Sequence, residues 1–113
     1  MDSLYDKYKL ELEDCQTSYI PAVGFASWSI EQEGEIYIQD LYVTPEKRNN
    51  KQCFELVKKC ILDAREKDID VKVIFTSLDK DLKKYKKCRN LVRKMAFKVQ
   101  GEDDNTIYFY KEL

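Results

Sequence analysis

Residues 36–57, IYIQDLYVTPEKRNNKQCFELV, decide how the chain is built. Ile36, Ile38, Asp40 and Tyr42 alternate with Tyr37, Gln39, Leu41 and Val43, which is the two-residue period of a strand. Pro45 cannot donate to a ladder and ends it. From Gln52 the period lengthens to that of a helix: Phe54, Val57, Ile61 and Ala64 recur on one side, supported by Leu56 and Cys60, while Lys58, Lys59, Asp63 and Glu66 take the wet face. A helix that begins directly after a strand leaves its first backbone N–H groups unpaired at the positive end of its dipole. The turn from Pro45 to Gln52 is therefore the first candidate for an anion site. It holds no glycine, the residue that lets a backbone lie close against a phosphate.

Working outward toward the N-terminus, Ala22 to Ile30 (AVGFASWSI) reads as a strand with Val23, Phe25 and small residues near Ser27 on its core face, and EQEGE at 31–35 makes the turn. Asp14 to Pro21 reads as a loop. Before it, Tyr8, Leu10 and Leu12 alternate with charged residues as in a half-buried strand, although Leu4, Tyr8 and Leu12 also share a helical spacing. In the other direction, VKVIFTS at 71–77 has the β-branched density of a buried strand, so strand, helix and strand imply a parallel pair joined by a crossover. A second helix is expected over about Asp79 to Met95, with Leu82, Tyr85, Cys88, Val92 and Met95 inward. Phe97 to Gln100 reads as a short strand, GEDDN at 101–105 as a turn, and Thr106 to Tyr110 as the last strand. The expected architecture is α+β: a mixed, mainly antiparallel sheet of about six strands carrying two main helices.

A chain of 113 residues with 43% hydrophobic and 36% charged content fits one soluble domain with a single core. No segment is apolar for long enough to span a bilayer, and MDSLYDKYKL lacks the basic start and apolar run of a leader, so an intracellular, cytoplasmic location is expected. Cys15, Cys53, Cys60 and Cys88 form no CxxC pair, and there is no histidine to complete a common zinc site, so free core thiols are expected. The net charge of −1 hides an asymmetry. Up to Glu46 there are ten acidic residues against two lysines, whereas Lys47 to Lys98 holds seventeen basic against seven acidic ones. An anionic partner for the basic part, or association between unlike faces, follows from that distribution.

The order of elements, together with IQDLYVTPEKR, the helix end AREKD and NLVRKMAF, resembles the GCN5-related N-acetyltransferase (GNAT) superfamily. Arg48 stands sixteen residues before Ala64, as the family's loop arginine stands before the alanine of its AxExG-like helix end. The resemblance implies acetyl-CoA held by Val43, Arg48, Asn49, Asn50, Lys51, Gln52 and Cys53. Lys51 and Cys53 fill the two glycine positions of the family's R/Q-x-x-G-x-G/A loop, so the expectation is that no cofactor is bound, or acetyl-CoA if the protein is active. The family's thiolate-protonating tyrosine, four residues before the glycine of Y-x-x-x-G-F, corresponds to Val92, and Ala96 takes the glycine position. Glu35, thirteen residues before Arg48, matches the strand glutamate that histone-type members use as a base. Asp40 is the unusual mid-strand carboxylate, for which burial with a structural hydrogen bond is expected. The chain also starts at what would be the family's second strand, so the usual N-terminal strand and helices are expected to be missing, together with one wall of the acceptor groove.

The expected function is therefore that of an acetyltransferase-fold pseudoenzyme acting as a binding, structural or regulatory component, of viral or phage type, through a protein partner or as a homodimer. FTSLDKDLKKYKKCRNLVRKMAF is also similar in layout to the strand and helix of antizyme-like regulators, which bind protein with this fold. The alternative is an active acetyl-CoA-dependent N-acetyltransferase. A third reading, nucleic-acid binding through the basic helix 80–94, rests on its lysines and arginines but lacks an aromatic stacking set.

Overall fold

The computed structural model describes residues 4–113, without the side chains of 5, 6, 9, 12, 13 and 50. Its elements run in the order α1 (Leu4–Glu13), β1 (Gln16–Ile20), β2 (Gly24–Gln32), β3 (Glu35–Val43), a 3-10 turn at Pro45–Lys47, α2 (Asn50–Glu66), β4 (Val73–Asp79), α3 (Tyr85–Lys94), β5 (Lys98–Glu102) and β6 (Thr106–Glu112). The six strands form one sheet in the order β1-β2-β3-β4-β6-β5, antiparallel except for the parallel pair β3 and β4. This is the expected α+β architecture with its crossover through α2.

Two N-terminal expectations fail. Residues 8–12, read as a strand, lie in α1, because alternation of Tyr8, Leu10 and Leu12 is also compatible with a helix whose Leu4, Tyr8 and Leu10 stay exposed. The stretch read as a loop holds β1, whose sequence QTSYI shows no apolar alternation; its central Ser18 is buried and accepts a hydrogen bond from Trp28 Nε1 at 2.8 Å. The expected core face of β2 holds only in part: Ser27 is fully buried and Val23 packs at the core margin, but the opposite side carries the larger core residues. Ala26 and Trp28 are fully buried, whereas Val23 and Phe25 are half-buried, because α2 packs across the side that carries Trp28. In α2 itself, Leu56, Val57, Cys60 and Ala64 are buried as their spacing predicts, with Phe54 and Ile61 packed at the margin. All four cysteines are free thiols, and burial pushes that of Cys60 up to about 12.

The second main helix is shorter than expected. β4 runs to Asp79, Leu82 is exposed in the following turn, and α3 starts only at Tyr85. Lys86, Lys87, Arg93 and Lys94 occupy its exposed side, while Val92 joins the core with Met95, just past the helix end.

Both main helices end the same way. After α3, Ala96 N donates to Arg93 O and Phe97 N to Val92 O; after α2, Asp68 N donates to Arg65 O and Ile69 N to Ala64 O. This pairing requires a left-handed residue, and Asp68 and Ala96 adopt φ of 61° and 66°. Ala96 therefore keeps the backbone conformation that glycine adopts freely. A left-handed non-glycine residue costs about 1–2 kcal/mol, and glycine's larger unfolded-state entropy gives back about half of that. Ala96→Gly is expected to stabilise the fold by about 0.5–1 kcal/mol in urea titration; destabilisation would show that the methyl group packs usefully.

Candidate functional site

The parallel ladder between β3 and β4 stops early. Its pairs run Glu35↔Val73, Ile36↔Ile74, Tyr37↔Phe75 and Ile38↔Thr76, yet β3 continues to Val43 and β4 to Asp79. The cause lies in the pairing with β2, where Ser27 faces Asp40 and Trp28 faces Ile38, leaving Gln39 as an extra residue. Such a bulge bends its strand and sharpens the local twist. It also shifts the alternation by one: Ile36 and Ile38 are buried before it, Val43 is buried and Leu41 half-buried after it. Asp40 is thereby turned outward and exposed, which corrects the expectation of a buried carboxylate.

Between the diverging strands lies a cleft of about 140 Å³. Gln39, Asp40 and Leu41 line one side, Thr76, Ser77 and Leu78 the other, and Val57 of α2 with Cys88, Leu91 and Val92 of α3 form the back. Hydroxyl contacts hold the strands together at its root: Thr76 Oγ1 donates to Ile38 O at 2.9 Å, and Tyr37 OH shares a short hydrogen bond with Ser77 Oγ. A crevice at the carboxyl ends of parallel strands is where open α/β sheets take ligands.

The start of α2 stands at the same end of β3. Asn49 caps it, its Oδ1 accepting from Gln52 N at 2.9 Å, and no acidic side chain occupies the first turn. Arg48 is pinned beside this helix start, with Nε donating to Val43 O at 2.9 Å and the guanidinium 5.5 Å from the Tyr42 ring centroid. The arrangement joins a fixed cation, a helix dipole and an apolar cleft, which together suit an anion attached to an uncharged chain. Cys53 points inward at 6% exposure, and its thiol is pushed up by burial and then by Cys88. Its side chain therefore lies in the core, while the exposed Lys51 adds bulk at the helix start.

The residues read from the sequence are partly brought together. Val43, Arg48, Asn49, Lys51, Gln52 and Cys53 cluster around the start of α2; the side chain of Asn50 lies outside the described residues. Glu35 does not join them. It is the first residue of β3, about 13 Å along the strand from Gln39 at the usual rise per residue, and it lines a different concavity. Tyr85 is half-buried against the core, under the Arg89 guanidinium at 5.4 Å, and does not line the cleft. The cleft residues Gln39, Ser77 and Leu78 escape sequence reasoning because a bulge leaves no composition signal of its own. Among the described residues no group of His, Cys, Asp or Glu is placed to hold a metal, and no described helix is long and apolar enough to cross a membrane.

Comparison with known proteins follows the same outline. The family model for the acetyltransferase (GNAT) family matches residues 13–97. A search of the curated proteins finds no match. Among solved structures, the PaiA N-acetyltransferase of Thermoplasma acidophilum in complex with coenzyme A is 19% identical, over 80% of this chain and 54% of that one, with a TM-score of 0.65. The Campylobacter jejuni N-acetyltransferase PseH in complex with acetyl coenzyme A is 16% identical, over 80% and 59%, with a TM-score of 0.58. A Bacillus subtilis acetyltransferase in complex with CoA is 14% identical, over 99% and 86%, with a TM-score of 0.67. The chain thus spans less than two thirds of the length of the first two.

Proposed function

This chain belongs to the acetyltransferase (GNAT) family, and we propose on that basis that it binds a coenzyme A thioester in the cleft between β3 and β4 without an efficient transfer step. The observation that carries the reading is the early end of the β3–β4 ladder, with the open start of α2 at the same end of the strands. Phosphates would meet the first-turn N–H groups and Arg48, and the uncharged arm would lie between Leu41, Leu78 and Val92. Cys53 is buried, so its glycine position presents no bulk to a ligand, while Lys51 fills the other with an exposed cationic side chain. The coenzyme A and acetyl coenzyme A in the three relatives support the same ligand class.

The weak transfer step follows from the back wall. A thioester supplies an activated acyl group, and its departing thiolate needs a proton. At the place of the family's tyrosine stands Val92, apolar and 8% exposed, with Leu91 and Met95 beside it. The hydroxyls that line the cleft belong to Thr76 and Ser77, and both are engaged in holding the strands. A positioned acid or base is worth about 10²–10⁴-fold in rate, which is the deficit expected here.

Calorimetry with CoA and acetyl-CoA tests the binding half. Micromolar affinity is expected, with at least tenfold loss in Arg48→Glu, whose new carboxylate repels phosphate while suiting the helix dipole. No heat at millimolar ligand removes the reading. Thiol release from acetyl-CoA with a panel of amines tests the other half, and turnover on the scale of an ordinary enzyme would show that another group supplies the proton.

A further inference from the structure

The cleft between β3 and β4 has two unlike ends. Its closed end lies where the ladder stops, at Ile38 and Thr76; its open end lies beyond them, by Leu41, Leu78 and the start of α2. Both helices carry the lining inward from there. Val57 stands about 10 Å along α2 from Asn50 at the usual rise per residue, and Val92, Met95 and Phe97 lie at and just past the end of α3.

The closed end is a hydrocarbon recess. Ile38, Val57, Val92, Met95 and Phe97 are all buried, and the Thr76 hydroxyl beside them already donates to Ile38 O. Among the described residues Asp40 is the charged member of the lining, and it is exposed. Apolar walls around an unfilled space lack contacts that an apolar guest restores. The volume of about 140 Å³ is close to the ~150 Å³ of an apolar cavity that takes benzene.

An anion site at one end of a cleft and a hydrocarbon recess at the other fix the order in which a ligand presents its parts. Phosphate comes first, an uncharged arm next and hydrocarbon last. A coenzyme A thioester has this order, and its variable part is the acyl group. Acetyl would bring one methyl group to a recess of this size and leave most of it unfilled. Given the coenzyme reading above, on which this rests, we propose that the thioester carries an aliphatic acyl chain of about four to six carbons, its end buried among Ile38, Val57, Val92, Met95 and Phe97. Val92, which stands where the family has an acid, then serves as a wall for the chain.

Calorimetry of the full chain with CoA and with acetyl-, butyryl-, hexanoyl- and decanoyl-CoA tests the chain length. Each buried methylene tightens binding about fourfold, so butyryl-CoA is expected to bind at least fivefold tighter than acetyl-CoA and hexanoyl-CoA tighter still. Decanoyl-CoA gains nothing further, because the recess is full. An analogue of butyryl-CoA with a hydroxyl on the third acyl carbon loses most of the gain. The chain has two methionines, Met1 and Met95, so an isotope label on the methionine methyl groups reports on the recess by NMR. Butyryl-CoA is expected to shift the Met95 methyl signal, assigned with Met95→Leu, and CoA alone to leave it near its free position. Equal affinity for acetyl- and butyryl-CoA overturns the proposal and leaves the coenzyme reading standing, as does tighter butyryl-CoA binding with an unmoved Met95 methyl. Failure of CoA and of every thioester to bind removes both.

Discussion

Gly24→Ala is expected to lower the melting temperature by roughly 15 °C, the largest loss among conservative changes outside the side-chain core. A β-carbon at Gly24 would stand 1.9 Å from Tyr42 O, 2.9 Å from Tyr42 C and 3.0 Å from Val43 Cα. These are backbone atoms of the paired strand, so no side chain can swing aside; β2 and β3 must separate. Overpacking of this kind costs about 3 kcal/mol or more when the neighbour cannot yield, and each kcal/mol moves the midpoint of a domain this size by about 4–8 °C. Gly24 pairs with Val43, whose carbonyl holds Arg48, and Thr44 N donates to Val23 O at 2.7 Å, so the same change should displace the helix start and weaken coenzyme binding. Gly101→Ala is the control, because its β-carbon would meet nothing within 4 Å. Thermal unfolding of the two variants side by side checks the argument, and a shift below about 2 °C for Gly24→Ala would contradict it.

Trp28→Ala is expected to cost about 3–5 kcal/mol, a large part of the ~5–15 kcal/mol that such a domain has to lose. The indole is fully buried between the sheet and α2, opposite Ile38 at the step where β3 leaves β4. Its N–H donates to Ser18 Oγ, which also bonds the buried Cys60 thiol, so one polar chain ties β2, β1 and α2 together. Trp28→Phe keeps most of the apolar volume and removes only the donor. Because Ser18 retains Cys60, that variant should lose about 1 kcal/mol, the scale of a single hydrogen bond. Urea titration separates the two; equal losses would mean that the hydrogen bond, rather than the packed ring, dominates.

Trp28 also shows where sequence reasoning reached its limit. In AVGFASWSI the alternation offers Val23 and Phe25 as readily as Ala26 and Trp28, since nothing in one strand records which side its neighbouring helix will cover. The helix α2 was legible from its period, as were the strand of residues 36–43 and the parallel partner beyond the helix. The polar β1 was not, because a strand buried by serine and tyrosine lacks an apolar signature. Residues 8–12 satisfied two periods at once, and only packing beside β1 chose the helix.

For the candidate sites the division is similar. Local chemistry determined the cluster at 43–53: a strand end, a proline stop, an N-cap asparagine and a helix period adjacent in the chain must bring Arg48 to a helix start. Tertiary structure decided the rest. Gln39 and Glu31 are extra residues opposite their partners, and an extra residue is a relation between two strands that neither strand carries alone. One bulge opens the cleft and turns Asp40 to solvent; the other leaves Glu31 without a partner across the hairpin. The crossover from β3 through α2 to β4 and the helix start were legible in the chain, because both follow from short-range periodicity and capping. The register of β2 against β3 decided where the ligand-sized spaces lie, because it depends on contacts between residues far apart in the chain.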